Sequence, residues 1–377
     1  MRVAIVSESF LPQVNGVSNT VRHVADRLRA TGHDVLVIAP GPGPDLHRDV
    51  PVVRVRSVGL PGYRSFPVGL PDPLVHRALA EFAPDVVHLA SPIMLGAVGL
   101  RAARRLGLPT VAVYQTDVGG FARQYGLHAE AAVSGWVGRL HRRCTRTLVP
   151  SMASYRQLDA LGVDDLHLWG RGVSLDLFGP ERRDTDLHRR WAAVGPDGTA
   201  TVVVGYVGRL APEKQVHRLT ELADLPQVQL VVVGDGPESS RLRRLLPGAV
   251  FTGQLQGAEL ARAFASLDVF VHTGESETFC QTIQEAQASG VAVVAPAAGG
   301  PLDLVQHGRS GLLFDVADRA SLRRQVASLV DDPEARSALT RAALARVAGQ
   351  TWTRLVDDLV RVHYGAVLEH AAVDHAA

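Results

Sequence analysis

Along most of the chain, short β-branched runs alternate with stretches whose apolar residues recur every three or four positions. Runs at residues 3–7, 35–39, 52–55, 86–89, 110–114 and 147–149 predict strands, and residues 20–31, 72–82, 93–106, 129–143 and 151–161 predict helices between most of them. β/α alternation of this kind predicts a mostly parallel sheet with helices on its faces. The rhythm stops across residues 170–184, where Gly, Pro and charge crowd together, and restarts at Val202. Strands at 202–207, 229–233, 250–251, 269–272, 291–295 and 312–314 then alternate with helices at about 215–222, 238–246, 259–266, 278–289 and 302–305.

The expected class is therefore α/β, with two Rossmann-like domains facing an interdomain cleft: residues 1–170, a linker at 171–184, and residues 185–350. A single domain of 377 residues is uncommon outside barrels. After residue 319 the pattern is helical only, with a break at Asp331-Asp332-Pro333 and a last helix at about 351–371. Trp352, Leu355, Leu359, Val362 and Val367 on that helix suit a return onto the first domain or a cover for the second; the pattern leaves both open. In open α/β sheets ligands sit beyond the carboxyl ends of the strands, so chemistry is expected in loops that follow strands.

Composition sets the compartment. No stretch approaches 18 uninterrupted apolar residues, and the strand-like run from Val3 lacks the layout of a signal peptide, so the reading is a soluble cytoplasmic chain. Cys144 and Cys280 are far apart and in no metal-ligand spacing, so neither a disulfide framework nor a zinc site is expected. Formal net charge is +1, yet residues 1–180 carry 19 Arg against 14 acids and residues 181–377 carry 20 cations against 24. The basic first half suits a solvated surface, or attraction to an anionic membrane or acceptor. A nucleic-acid partner is not expected, because the cations are neither concentrated nor interleaved with stacking aromatics. Of the 39 cations 38 are Arg, and the one lysine, Lys214, marks a place where a compact ammonium has a use that a guanidinium lacks.

Three loops after strands carry candidate chemistry. Glu8-Ser-Phe-Leu-Pro-Gln-Val-Asn-Gly-Val17 leads into a helix that Ser18 or Asn19 is expected to cap, and Gly16 either lets backbone amides approach a phosphate or is a plain turn residue. Gly205-Tyr-Val-Gly-Arg-Leu-Ala-Pro-Glu-Lys-Gln215 puts Arg209 and Lys214 on one loop, suited to a developing diphosphate charge without a metal; the plain alternative is an ion pair with Glu213. Thr273-Gly-Glu-Ser-Glu-Thr-Phe-Cys-Gln-Thr-Ile-Gln-Glu285 follows an apolar strand. There Glu277 and Glu285 stand eight positions apart, as on one helix face, and the amides of Thr278, Phe279, Cys280 and Gln281 make a helix entrance for a phosphate. Base contacts are expected around residues 234–236 and 253–255.

Gly-Arg-Leu-x-x-Glu-Lys at 208–214, Val-Gly-Asp-Gly-Pro at 233–237 and Glu-x7-Glu from Glu277 to Glu285 together resemble glycosyltransferase family 4, over nearly the whole chain. Glu-Thr-Phe-Cys-Gln-Thr-Ile-Gln-Glu followed by Ala-Pro-Ala-Ala-Gly-Gly-Pro-Leu-Asp-Leu-Val is similar to actinobacterial GDP-mannose-dependent α-mannosyltransferases that act on lipid acceptors. The resemblance implies the GT-B fold, no metal, no cofactor beyond a nucleotide-sugar co-substrate, and transfer with retention of configuration. It implies that Arg209 and Lys214 hold the diphosphate, Gly16 contacts it from the opposite domain, Glu285 binds ribose and Glu277 the transferred sugar. Many relatives carry a His near that sugar; here the segment reads Tyr114-Gln-Thr-Asp-Val-Gly-Gly120, so Asp117 either takes a sugar-contacting role or caps the next helix.

On the acceptor side, Trp136, Arg139, Arg142, Arg143 and Arg146 along one expected helix suit an anionic leaflet, the alternative being Trp136 packed inward with the arginines solvated. Transfer to a lipid at the membrane face is the leading expectation. Transfer from another nucleotide sugar to a soluble acceptor, and a sugar-nucleotide epimerase or binding protein, are the alternatives.

Overall fold

In the computed structural model, residues 1–13, 15–60, 63–117, 130–192 and 201–376 are described. Their apolar runs pair as strands in two separate sheets, each at the centre of its own unit. Unit 1 is Met1–Arg171 with Trp352–Ala377, and unit 2 is Gly172–Thr351.

In unit 1 the strands are β1 (Arg2–Ser7), β2 (Asp34–Pro40), β3 (Leu46–His47), β4 (Val50–Val55), β5 (Ser57–Leu60), β6 (Tyr63–Gly69), β7 (Val86–Ala90), β8 (Thr110–Val113), β9 (Arg146–Val149) and β10 (Leu166–Leu168). The main sheet runs β10-β9-β8-β7-β1-β2-β4-β3, parallel except where β3 turns back on β4. Its central strands are buried on both faces, which is why they read as unbroken apolar runs. The antiparallel pair β5–β6 forms a separate ribbon that the β/α rhythm does not predict.

Trp352–Ala377 belongs to unit 1. Trp352 stacks on His23 with ring centroids 4.5 Å apart, Trp169 Nε1 donates to the Leu355 carbonyl at 3.1 Å, and Arg27 pairs with Asp357 through two 2.8 Å hydrogen bonds. The expected single helix is three pieces: α-helical Trp352–Asp358, π-helical Leu359–Tyr364 and α-helical Gly365–Ala376. The wider π turn lets Leu359 and Tyr364, five residues apart, both bury in the same core as Val356 and Val367. Tyr364 Oη meets His88 Nδ1 at 2.8 Å inside that core.

Unit 2 holds β11 (Val202–Val207), β12 (Val228–Val233), β13 (Val250–Gly253), β14 (Val269–Val271), β15 (Ala292–Pro296) and β16 (Leu312–Phe314). They lie in the order β13-β12-β11-β14-β15-β16, all parallel. The stretch expected as a linker is part of this unit from Gly172 onward. Val173 bridges to Thr351 and donates to the Gln350 carbonyl at 2.8 Å, and Asp184 caps a short helix, Thr185–Trp191, whose Trp191 enters the core.

Candidate functional site

In unit 2 the strand order reverses between the neighbours β11 and β14, so the loops at their carboxyl ends open side by side, the usual place for a ligand in such a sheet. The loop after β11 is anchored by buried Leu210 and Ala211 and makes a 3-10 turn at Pro212–Lys214. Gly234 lets the next loop close upon it. At φ 138° a Cβ there would stand 1.9 Å from the Gly208 carbonyl oxygen.

Three contacts stitch the loop after β11 to the one after β14. Thr273 Oγ1 donates to the Lys214 carbonyl at 2.7 Å, Gln215 Nε2 to Glu275 Oε1 at 2.6 Å, and Lys214 Nζ to Glu277 Oε1 at 2.5 Å. From the other side, Gly300 donates its N–H to the Glu277 carbonyl at 2.8 Å. Gly299, at φ 61°, passes so close that a Cβ would lie 2.7 Å from the Glu275 carbonyl oxygen. Lys214 and Glu277 are thus held on rigid backbone rather than on free loops.

The sequence alone misses the third member of this group. His272, the first residue past β14, is 3% exposed, and its Nε2 lies 3.2 Å from Glu277 Oε1. Placed at the end of an apolar strand, it reads as one more core residue. Burial, which alone raises a carboxyl pKa, is outweighed at Glu277 by Lys214 and His272, and the carboxyl is held well below its ordinary range. Lys214 is shifted upward, burial being outweighed by Glu277. His272 is raised to about 9 against the lowering effect of burial, by Cys280 and Glu277. Lys214 and Glu277 thus form a charged pair at neutral pH. Arg209 pairs with Glu213 at 3.5 Å, the plain alternative weighed from the sequence, and keeps 36% of its side chain exposed.

One expectation is corrected. The helix runs Gln281–Ala288, not 278–289, because Cys280 adopts φ 89° and ψ 78°, a left-handed conformation that an α-helix cannot continue through. Glu277 therefore lies in the loop and shares no helix face with Glu285; the amides of Thr278, Phe279 and Cys280 precede the helix. Phe279 and Cys280 are buried in the core, and Gln281 Nε2 donates to the Gly172 carbonyl at 2.8 Å. Glu285 sits about one turn into the helix, half-buried, its carboxyl raised to about 8 by burial.

Unit 1 shows the same reversal between β1 and β7. The helix after β1 is Gly16–Ala30, starting earlier than expected, and Asn15 rather than Ser18 or Asn19 caps it by accepting the Ser18 N–H at 3.0 Å. Arg171, not singled out from the sequence, places Nη1 2.8 Å from the Gly16 carbonyl and 3.0 Å from Thr20 Oγ1. A Cβ on Gly16 would sit 3.1 Å from that nitrogen. Glu8, also missed, is buried and accepts N–H bonds from Ile93, Leu95 and Gly96 at 2.8, 3.1 and 2.8 Å, tying the loop after β1 to the start of the helix Leu95–Arg105. Burial raises its carboxyl pKa despite those bonds.

Asp117 accepts hydrogen bonds from Gln157 Nε2 at 2.9 Å and Tyr114 Oη at 3.3 Å, while residues 118–120 of its segment lie outside the described residues. The basic helix is shorter than expected: it runs Glu130–His141, Ala129 lies outside the described residues, and Arg142 and Arg143 follow its end in an exposed turn. Arg146 begins β9, pairs with Asp165 at 2.8 Å, and is separate from the cluster. Trp136 is 39% exposed, its Nε1 donating to the Ile93 carbonyl at 3.2 Å and Arg139 lying over its ring at 5.9 Å. No helix among the described residues is long and apolar enough to cross a membrane.

Two family models match, "Glycosyltransferase Family 4" over residues 14–177 and "Glycosyl transferases group 1" over residues 192–346. The chain is 52% identical to the GDP-mannose-dependent alpha-mannosyltransferase of Mycolicibacterium smegmatis, over 98% of each chain. It is 47% identical to the protein of that name from Corynebacterium glutamicum, over 98% of this chain and 89% of that one. Among solved structures, Anabaena Alr3699/HepE in complex with UDP superposes with a TM-score of 0.79 at 21% identity, covering 97% of this chain and all of that one. The two Rossmann-like halves are those of the GT-B fold. With both halves matched and near-full-length identity to named members, the chain belongs to glycosyltransferase family 4 and is a glycosyltransferase.

Proposed function

We propose that the chain is a retaining, metal-independent mannosyltransferase that moves α-mannose from GDP-mannose to a lipid or glycolipid acceptor at the cytoplasmic face of a membrane. The observation that carries the reading is the Lys214–Glu277 contact at 2.5 Å, made where the strand order of unit 2 reverses. The mannosyltransferases at 47% and 52% identity support the donor.

Before the donor arrives each cation has a carboxylate partner: Lys214 has Glu277, and Arg209 has Glu213. These pairs hold the cations in place and offset their desolvation. A diphosphate offers stronger charge complementarity, so Lys214 and Arg209 turn to it, and Glu277 is released to accept hydrogen bonds from sugar hydroxyls. As the glycosidic bond breaks, negative charge grows on the leaving phosphate, and these cations stabilise it more than they stabilise the intact donor. The leaving oxygen takes the proton of the incoming hydroxyl on the same face of the sugar, giving retention. Glu285 binds the ribose diol.

Donor identity is testable by ligand-induced stabilisation, since a ligand at about 100 times its Kd adds about 2.7 kcal/mol. Among GDP-mannose, UDP-glucose, ADP-glucose and TDP-glucose, GDP-mannose is expected to raise the melting temperature most. A larger rise with a UDP-sugar overturns the assignment of the base.

The membrane side is read from Trp136, Arg139, Arg142 and Arg143. Vesicles containing phosphatidylglycerol are expected to retain the protein in flotation, and neutral vesicles are not. At about 1 kcal/mol per arginine, replacing Arg139, Arg142 and Arg143 together by alanine lowers partitioning by roughly 100-fold. Equal flotation on both vesicle types refutes the membrane role.

A further inference from the structure

The geometry points to a binding site for a soft divalent cation, with Zn²⁺ as the fitting ion, formed by His272, Glu277 and Cys280, whose occupancy disables Lys214. One imidazole nitrogen, one carboxylate oxygen and the thiol sulfur all lie within 4.8 Å of one another.

Two features mark the group as more than a chance cluster. The His272 ring is buried, and its ion-pair contact with Glu277, Nε2 to Oε1 at 3.2 Å, falls short of a well-aligned hydrogen bond. A buried ring nitrogen so poorly aligned is incompletely satisfied, and a metal ion that displaces its proton satisfies it. Cys280 holds a left-handed backbone, φ 89°, that a glycine adopts without strain and a cysteine does not. Here a strained residue supplies the sulfur of the group.

The donor set selects the ion. Nitrogen, sulfur and oxygen at about 2.0–2.3 Å suit Zn²⁺ in a tetrahedral site with its fourth position open, whereas Mg²⁺ and Ca²⁺ prefer oxygen alone. The His272 and Glu277 donors already stand 3.2 Å apart, close to tetrahedral spacing about an ion. Glu277 Oε1 already bonds the Lys214 ammonium at 2.5 Å, so ion and ammonium compete for one carboxylate. An ion that wins takes Glu277 and repels Lys214 from the loop. Zn²⁺ is thus an antagonist of the donor site, not its cofactor; this consequence rests on the donor-binding role of Lys214 proposed above, while the site itself does not.

The test is Zn²⁺ titration of the full chain, free of donor, against a chromophoric chelator. One equivalent is expected to bind, with no comparable binding of Mg²⁺. Cys280→Gly is the decisive variant, because the observed φ suits glycine and the fold is expected to be retained; it is expected to weaken Zn²⁺ by more than roughly 100-fold, beyond the ~10–100-fold typical of losing an outer partner. Cys144→Ala is expected to bind as wild type does. Lys214→Ala is expected to bind Zn²⁺ more tightly, since the competitor is gone, a gain that an unrelated surface site does not show. No stoichiometric binding by the wild type, or equal binding by Cys280→Gly, overturns the site. Melting-temperature shifts by GDP-mannose, with and without one equivalent of Zn²⁺, read the antagonism separately: an undiminished shift overturns it. If GDP-mannose gives no shift without zinc, the donor reading has failed while the zinc titration still stands.

Discussion

Lys214→Ala is expected to lower turnover with GDP-mannose by about 10²–10³-fold, the usual loss when one donor to a developing oxyanion is removed. The effect on stability is smaller than for an ordinary buried ion pair, because Glu277 keeps His272 3.2 Å away and is not left uncompensated. Single-turnover rates and thermal melts on the same variant separate the two effects. Lys214→Arg restores charge but not geometry: a planar fork does not fit a 2.5 Å contact made by a compact ammonium, so it is expected to recover only part of the rate. Wild-type turnover in Lys214→Ala removes the residue from the mechanism.

Glu285→Gln is expected to make the protein more stable and the donor weaker. The Glu285 carboxyl is raised by burial to about 8 in the folded chain, against an ordinary value of 4.5. Between those values the folded protein binds a proton that the unfolded chain releases, so stability falls as pH rises through the window and levels off above it. The loss is on the order of a few kcal/mol. Glutamine never ionises and escapes it. The melting temperature of Glu285→Gln should therefore exceed that of the wild type at pH 8.5, and the two should nearly coincide at pH 4.5. Losing a charged hydrogen-bond acceptor for the ribose diol is expected to weaken donor binding by roughly 10- to 100-fold, read by donor titration at pH 8.5. An equal melting-temperature gain at both pH values excludes ionisation as the cause. Such a position exchanges stability for function, as binding sites often do.

The fold class was legible because buried parallel strands write themselves as unbroken apolar runs, and both sheets follow from that pattern. The ribbon β5–β6 was not, since residues 57–69 mix Gly, Pro and Arg without strict alternation. Arg209, Lys214, Glu277 and Glu285 were singled out by residue type and spacing, and the structure puts Lys214 and Glu277 in contact. Their arrangement was misread at Cys280. A helical period extends back to residue 278, and nothing in the one-letter string signals a left-handed backbone at a residue other than glycine. Glu8 and Arg171 escaped notice because their partners are distant in sequence, and His272 because it ends an apolar strand and reads as core. The basic helix was overextended because the turn at residues 142–145, Arg-Arg-Cys-Thr, contains neither Gly nor Pro to mark it.

The return of Trp352–Ala377 to unit 1 governs how the molecule is made. A ribosome completes every strand of the first sheet before starting the second, yet Val356, Leu359, Tyr364 and Val367, which seal the first core, emerge only after the second sheet. The amino-terminal half therefore waits, partly uncovered, while a continuous second half is synthesised and folds. Nascent-chain protection is needed longest by the part translated earliest, and a premature stop near the carboxyl end injures the opposite end of the polypeptide.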